Sequence, residues 1–584
     1  MAARRWRRRV ATMAHEFDMV VRGGTIADGT GSELVEGDVA IRDGKIAAVG
    51  KGLGSGREEI DARGLLVTPG FVDVHTHYDG QLSWSERLAP SSGHGVTSVV
   101  TGNCGVGFAP CREGDRDKLM RLMEGVEDIP EIVMAEGLSW DWNSFGDFLQ
   151  SVEKQPHDID FAVMLPHSPV RVFVMGERAV RLEAATEADR AQMRVIAKEA
   201  MLAGAAGFAT SRSLHHQASD GGRIPSFAAE EAELTQIALG MADAGRGQIQ
   251  AISTTQNPCV GDYELLHRVA REAGRPLSYT LQFAPGRREG LAEDVLDAMV
   301  RENAAGGNVK AQVFNRPSGV ILALETGFHP FMGHPKFVEH LAKLPHAERV
   351  AAMRQPDVRA ALLKPMGAST HPFATLLAQF NLIFPLRGAS DYEPAASTSI
   401  AAVAAARGVS PYEVAYDLLM ENDGRGKLMV ATTNYGEGNL NSSLKMMRRD
   451  DTVLALGDGG AHYGLICDAS YTTFQLAHWV RDRKGERLGL AEAVHMMTDQ
   501  PARLYSFRDR GRIAPGLKAD LNVIDMDRLT LHPPEVVSDL PAGGRRLTQT
   551  ADGYVATLVS GRTIMRDGVD TGARPGKLVR SVGG

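Results

Sequence analysis

Short blocks of apolar or alternating positions lie at both ends of the chain, which is typical of β-strands. Glycine and aspartate turns separate the blocks. They are Phe17–Arg22, Asp38–Arg42, Lys45–Gly50, Ala519–Asp525, Tyr554–Ser560 and Gly561–Arg566. We therefore predict a small β-sandwich domain built from both termini, over residues 16–67 and 508–575, followed by a tail at 576–584.

Between these ends, short apolar segments alternate with helical stretches, which favours a parallel sheet in an α/β fold. The predicted strands are the apolar run that closes at His75, then Val96–Thr101, Phe161–Leu165, Ala206–Thr210, Gln248–Ser253, Pro276–Leu281, Val309–Phe314 and Thr452–Gly457. Eight such units indicate a (β/α)8 TIM-like barrel, which we place at residues 68–507.

The segment between the seventh and eighth predicted strands is longer than one crossover requires. It covers about residues 320–445 and contains helix-like stretches at Ile400–Arg407 and Pro411–Met420. Long insertions after barrel strands fall on the active-site face. We therefore expect a long helical insertion that forms a lid or a wall of the substrate site.

Composition narrows the classes of function. The 584 residues are 43% apolar and 23% charged, which is typical of a globular protein with two domains or an enlarged barrel. The net charge of -8 argues against a nucleic-acid partner, and no apolar run is long enough to span a bilayer. The four cysteines form no Cys-x-x-Cys pair and no dense framework, so we expect a cytoplasmic protein without a disulfide scaffold.

The first residues form a separate basic segment. Five arginines lie within Met1–Val10, and no apolar stretch follows that would indicate a signal peptide. A nucleic-acid-binding arm is one interpretation. We favour an upstream extension with Met13 as the natural start, and we expect residues 1–15 to be a disordered basic extension outside the fold.

A histidine pair closes the first predicted strand. His75 and His77 follow a Pro-Gly turn and an apolar run, and residues two apart on a strand face the same side. Two adjacent imidazoles can bind one divalent metal, which would indicate a hydrolase that activates water. An isolated His-x-His is more often part of a polar network, so further ligands must come from elsewhere in the chain.

Two further candidate ligands follow other predicted strands. Cys104 lies in an Asn-Cys-Gly segment after the second strand, and Asp458 lies in a Gly-Asp-Gly-Gly segment after the eighth. Singly, they would be interpreted as a buried thiol and a turn residue. The carboxyl ends of barrel strands meet at one face, so together with His75 and His77 they form a credible zinc site.

These segments resemble the amidohydrolase superfamily, and within it the N-acyl-D-amino-acid deacylase (D-aminoacylase) group. The His-x-His segment and the sequence Gly-Arg-Ile-Ala-Pro-Gly-Leu-Lys-Ala-Asp at 511–520 mark the superfamily, and the Asn-Cys-Gly segment points to the deacylases. The resemblance extends from Phe17 to about Gly568. It implies a zinc-dependent hydrolase that cleaves the amide of N-acyl amino acids, a carbon–nitrogen bond other than a peptide bond.

The resemblance also implies roles for the matched residues. Cys104 matches the cysteine that takes the bridging place of a carboxylated lysine, and Asp458 matches the general base and proton shuttle. The deacylases carry metal-binding histidines on strands five and six, but the segments 248–255 and 276–283 contain none. We therefore predict one zinc ion, or two if other residues complete the site. The predicted ligands are His75, His77, Cys104 and Asp458.

Other polar residues near predicted strand ends are weaker candidates. Histidines that could bind metal or substrate, although a polar-network role is commoner, are His167, His215, His216 and His462. An N-acyl amino acid carries a carboxylate, for which a cationic partner is expected. The sequence does not choose among Arg171, Arg212 and Arg316.

The predicted reaction is attack of metal-activated water on the amide of a small molecule. Asp458 takes the proton from water and passes it to the leaving nitrogen. One alternative keeps the fold and acts on a cyclic amide, a peptide-like amide or another C–N bond. An alternative of another class is an inactive barrel that acts as a binding module. We expect a homo-oligomer without nucleic-acid or membrane partners.

Overall fold

The computed structural model describes residues 15–253, 260–282, 291–364, 373–388, 390–431 and 433–581. The predicted basic extension therefore lies almost wholly outside the described residues. So do the last residues of the segments 248–255 and 276–283, in which the sequence analysis found no histidine.

Eight parallel strands form one sheet in which spatial neighbours follow chain order. We number them strands 1 to 8: Phe71–Asp73, Val96–Thr101, Asp160–Pro166, Gly207–Arg212, Gln248–Ser253, Leu277–Thr280, Val309–Val313 and Thr452–Leu454. Beyond the ends of strands 1 and 8, Asp458 N donates to His75 O at 3.0 Å and His77 N donates to Gly459 O at 2.8 Å. The first and last units therefore meet, and the predicted TIM-like barrel is confirmed.

The barrel strands are largely buried because both of their faces are covered. Every residue of strands 2 and 3 is buried, as expected for parallel strands between a packed interior and a layer of helices. Capping residues set the ends of these helices. For example, Thr186 and Asp189 form a capping box at the start of Glu187–Ala203, and Gly204 ends that helix in a left-handed conformation.

The helices that cover and connect the barrel strands alternate with them along the chain. They are Gln81–Trp84, Arg116–Glu127, Glu131–Gly137, Phe145–Glu153, His167–Met175, Glu177–Val180, Glu187–Ala203, Glu231–Ala244, Val260–Ala273, Leu291–Ala304, Asn441–Met447, Tyr471–Phe474, Leu490–Met497 and Asp499–Leu504, with a π-helix at Gln475–Asp482. Within the described ranges, none of the helices combines the length and the apolar character needed to cross a bilayer.

Strands from both ends of the chain share one nine-stranded sheet. They are Phe17–Ile26, Val35–Arg42, Lys45–Gly50, Gly56–Asp61, Leu66–Pro69, Leu521–Ile524, Tyr554–Val559, Arg562–Arg566 and Val569–Asp570. Leu521–Ile524 pairs with Leu66–Pro69 on one side and Tyr554–Val559 on the other, so the two termini meet inside the sheet. Val21, Val39 and their apolar neighbours form its core. The domain boundaries stay a prediction.

The insertion after strand 7 has an apolar core of its own, which includes Phe331 and Leu419. It is not wholly helical, because a three-stranded antiparallel sheet of Gly319–Leu322, Lys427–Ala431 and Ile383–Leu386 lies among its helices. Those helices are Pro335–Glu339, His346–Met353, Pro356–Leu362, Ala374–Leu377, Ile400–Arg407, Pro411–Leu419 and Glu421–Gly424.

Candidate metal centre

Side chains that follow strands 1, 2 and 8 converge at one end of the barrel. Nε2 of His75 and Nε2 of His77 each lie 3.5 Å from Oδ1 of Asp458. Sγ of Cys104 lies 3.4 Å from His75 Nε2. One ligand atom from each of His75, His77 and Cys104 lies within 4.8 Å of the others, so this group could hold a metal ion.

The loop after strand 1 places the two histidines. Strand 1 ends at Asp73, so the histidines do not lie on the strand, in contrast to the prediction that it runs to His75. The Asp73 carboxylate accepts from His75 N at 3.1 Å, and His77 N donates to Gly459 O at 2.8 Å. These hydrogen bonds, rather than the alternation of side chains along a strand, orient both imidazoles towards the same point.

Three residues at or beside the centre have left-handed backbone conformations. The φ angles are 57° at Cys104, 46° at Asp458 and 51° at His462. Such a conformation costs a residue other than glycine about 1–3 kcal/mol, and it persists only where the surroundings enforce it. Strain of this kind concentrates at functional sites, and here three strained residues lie around one point.

An amide network across strands 5 to 7 supports the centre, and the sequence analysis missed it. The Gln312 side-chain oxygen lies 2.7 Å from His75 Nδ1, and the Gln312 amide donates to Ser278 Oγ at 3.1 Å. Gln248 donates to the same hydroxyl at 2.8 Å, and Gln250 accepts from Cys104 N at 3.0 Å. The available signal was the presence of amide side chains inside otherwise apolar strands.

Glu127 is a further residue of the site that was not predicted from the sequence. It is the last residue of the helix Arg116–Glu127 and is 1% exposed. Its Oε1 lies 3.3 Å from His77 Nδ1, and its Oε2 lies 3.4 Å from His462 Nε2. A glutamate at a helix end usually faces solvent, so nothing in the sequence distinguished this one.

Burial and neighbouring charges set the protonation of the site. Burial lowers the pKa of His75 to about 4, so its imidazole is neutral at pH 7. Burial by itself would raise the pKa of Asp458, but hydrogen bonding to His77 and the nearby histidine charges lower it to about 2. Burial raises the pKa of the Cys104 thiol to about 12 and that of Glu127 to about 7.

These observations fit a zinc ion. The donor atoms are imidazole nitrogens, a sulfur and a carboxylate oxygen, which zinc prefers. Burial disfavours the Cys104 thiolate, whereas a cation at this point would favour it, since metal binding deprotonates a thiol ligand. Burial raises the pKa of the Asp73 and Glu127 carboxyls, and a cation at this point would favour their ionised forms.

The other candidate histidines differ in how close they come to this centre. Both ring nitrogens of His167 are engaged, at 2.7 Å from Glu233 and 2.8 Å from Thr210, so it has no free ligand atom. His462 lies beside the centre, with its ring 6.4 Å from that of His77. His216 contacts Ser211 Oγ through Nδ1, and His215 is exposed.

The three candidate arginines are paired within the protein. Arg171 is buried and contacts the Glu233 carboxylate. Arg212 lies 3.1 Å from Asp262, and Arg316, which is fully buried, lies 3.0 Å from Asp468. Each of them therefore already contacts a carboxyl group of the protein.

This chain is similar to known proteins over most of its length. A family model described as "Amidohydrolase family" matches residues 58–565. D-aminoacylase of Alcaligenes xylosoxydans xylosoxydans is 25% identical, over 96% of this chain and 97% of the relative. N-acyl-D-glutamate deacylase of the same organism is 29% identical, over 97% of each chain.

Solved structures show the same fold. A crystal structure of D-aminoacylase is 23% identical and has a TM-score of 0.63, with 97% of this chain and 100% of that chain covered. N-acyl-D-glutamate deacylase from Bordetella bronchiseptica, solved with zinc and a phosphonate inhibitor that mimics the tetrahedral intermediate, is 22% identical. Its TM-score is also 0.63, over 97% of this chain and 99% of that chain.

Proposed function

Because the chain belongs to the amidohydrolase family, we propose that it is a zinc-dependent hydrolase that cleaves the amide bond of N-acyl amino acids. The observation that carries the proposal is the convergence of His75, His77, Cys104 and Asp458 on one point. The deacylase relatives, which match nearly the whole chain, support the substrate class.

His75, His77, Cys104 and Asp458 would hold the zinc ion. When bound, zinc supplies a Lewis acid that activates water and polarises the amide carbonyl. One solved D-aminoacylase structure is described as having a binuclear metal centre. Strands 5 and 6 of this chain carry no histidine from Gln248 to Ser253 or from Leu277 to Thr280, so we propose one ion.

Asp458 is the proposed catalytic residue. With its pKa held at about 2, its carboxylate is unprotonated at neutral pH and can accept a proton from the attacking water. The same oxygen can then deliver the proton to the leaving nitrogen. Gln312 accepts from His75 Nδ1, which leaves Nε2 free to face the centre.

A second candidate substrate is an amide that lacks a free carboxylate, such as a cyclic amide. The observation that favours it is the internal pairing of Arg171, Arg212 and Arg316. Under this alternative the metal and Asp458 keep their roles, and only the recognition of the substrate changes.

Location and assembly belong to the same proposal. Cys104, Cys111 and Cys467 are buried free thiols, which supports a reducing, cytoplasmic environment. A homo-oligomer rests on the family resemblance alone. The insertion after strand 7 is proposed as a wall of the substrate site because it follows a barrel strand at the active-site face.

The test is hydrolysis of a panel of N-acyl D- and L-amino acids and cyclic amides, with ninhydrin detection of released amines and zinc counting by mass spectrometry. We expect one zinc ion per chain and activity on the acyl amino acids. Activity confined to cyclic amides would replace the substrate class. Protein that binds no zinc and gains no hydrolase activity when zinc is added would instead be the binding module.

A further inference from the structure

We propose that Glu127 is a positioning residue that holds His77 and His462 at the same time. The inference rests on the proposed function, because it assigns a role at the same metal centre. Glu127 comes from the helix Arg116–Glu127, which follows strand 2, whereas His77 and His462 follow strands 1 and 8. One buried carboxylate therefore joins three units of the barrel.

The polar atoms of Glu127 have little else to contact. Neither of its oxygens, nor Nδ1 of His77, has a hydrogen-bond partner in the part of the chain that the structure describes. They face each other instead, with Oε1 3.3 Å from His77 Nδ1 and Oε2 3.4 Å from His462 Nε2. A carboxylate that is 1% exposed needs such partners, because an unpaired buried charge is strongly unfavourable.

The position of Glu127 sets which nitrogen of His77 can bind metal. Nδ1 faces Glu127, whereas Nε2 lies 3.5 Å from Asp458 Oδ1 on the side of the centre. A proton on Nδ1 would lie beside the Glu127 carboxyl group and would leave the Nε2 lone pair for the ion. On His75 the neutral Gln312 amide lies 2.7 Å from Nδ1, so Glu127 is the acidic counterpart behind Nδ1 of His77.

The backbone at Glu127 also fixes the loop that carries Asp458. His462 N donates to Glu127 O, and the neighbouring Asp128 carboxylate accepts from Gly464 N at 2.8 Å. The strained backbone at Asp458 and His462 lies in this loop. The Glu127 carboxyl group contacts both His77 and His462, so its loss would act on a metal ligand and on the loop that carries the general base.

The test compares Glu127→Gln and Glu127→Asp with the wild-type protein. Glu127→Gln keeps the size of the side chain, but its NH2 group would face one of the two histidine N–H donors. Glu127→Asp keeps the carboxyl group but shortens the side chain by one methylene. Zinc dissociation constants come from competition with a chelator. We expect zinc to bind about 10- to 100-fold more weakly in Glu127→Gln, with a smaller loss in Glu127→Asp.

Cobalt substitution supplies a readout that a purely structural role would not move. The visible spectrum of the Co²⁺ protein reports on the ligand set, and we expect its bands to shift in both Glu127 variants. The matched control is Glu233→Gln, another buried glutamate that contacts a histidine, His167, but not the centre. It should lower the melting temperature without changing zinc affinity or the cobalt spectrum.

The outcomes separate the two proposals. Wild-type protein that binds no zinc would overturn the proposed function itself. Wild-type zinc affinity and an unchanged cobalt spectrum in both Glu127 variants would overturn only the positioning role. If Glu127→Gln fails to fold, Glu127→Asp decides by the same two measurements.

Discussion

Asp458→Asn tests the assignment of the general base most directly. The substitution keeps the size of the side chain and removes its charge and its capacity to accept a proton. Asp458 Oδ1 lies 3.5 Å from Nε2 of His75 and of His77, so the amide oxygen can occupy the same place. The remaining group of His75, His77 and Cys104 should retain the zinc ion.

The size of the effect follows from the role. General acid–base catalysis contributes about 100- to 10,000-fold to a rate. Since each factor of ten is about 1.4 kcal/mol, the barrier should rise by about 3–5 kcal/mol. We therefore expect kcat of Asp458→Asn to fall by about 100-fold or more, with a smaller change in KM and about one zinc ion per chain.

The assay measures kcat, KM and zinc content of the same preparation, using the best substrate of the amide panel. Asp189→Asn is the matched control, because Asp189 is similarly exposed (13% against 17%) but caps an outer helix. It should lower stability and leave kcat unchanged. Turnover of Asp458→Asn within about twofold of wild type, with zinc bound, would refute the assigned role.

Three further predictions concern the centre and the insertion. Cys104→Ser should weaken zinc binding at least about 10-fold in chelator competition, because a hydroxyl replaces the thiolate donor; an unchanged affinity would remove Cys104 from the ligand set. Gln312→Leu should weaken zinc binding by about 10- to 100-fold, because His75 Nδ1 loses its acceptor; an intact affinity would show that Gln312 is dispensable. Glu393 belongs to the insertion, and its partners, which include Arg483, hold its pKa at about 2, below the ordinary 4.5, although burial opposes this. The contribution of Glu393 to stability is therefore present above about pH 4.5 and is lost as pH falls towards 2. Glu393→Gln should lower the unfolding free energy by about 2–3 kcal/mol at pH 7 and by less at pH 3, as measured by unfolding in urea. An equal loss at both pH values would contradict that account.

The barrel could be predicted because its strands have a strong local signal. Strand 2 and strand 5 begin and end at the predicted residues, since each is a short segment with recurring apolar positions between turns. The helix Ile400–Arg407 was equally clear, with Ser399 and Gly408 at its ends. The three strands of the insertion were not predicted, because short apolar runs inside a helix-rich segment are ambiguous without their partners.

The predicted metal ligands share a feature that the missed residues lack. His75, Cys104 and Asp458 each follow a barrel strand, and the geometry of the fold brings such positions together. Glu127 ends a helix, and its burial depends on how that helix packs against the loop after strand 8. Gln312 lies inside a strand, where sequence alone does not show that its amide faces the barrel interior.

The missed residues also bear on the proposal of a single zinc ion. On the side of strands 5 to 7, the amides of Gln248 and Gln312 both donate to Ser278 Oγ, and these groups carry no charge. A second cation there would face uncharged groups that already form hydrogen bonds with each other. Behind His77, by contrast, Glu127 supplies an acidic group. Acidic support is therefore concentrated around the position that we propose for a single zinc ion.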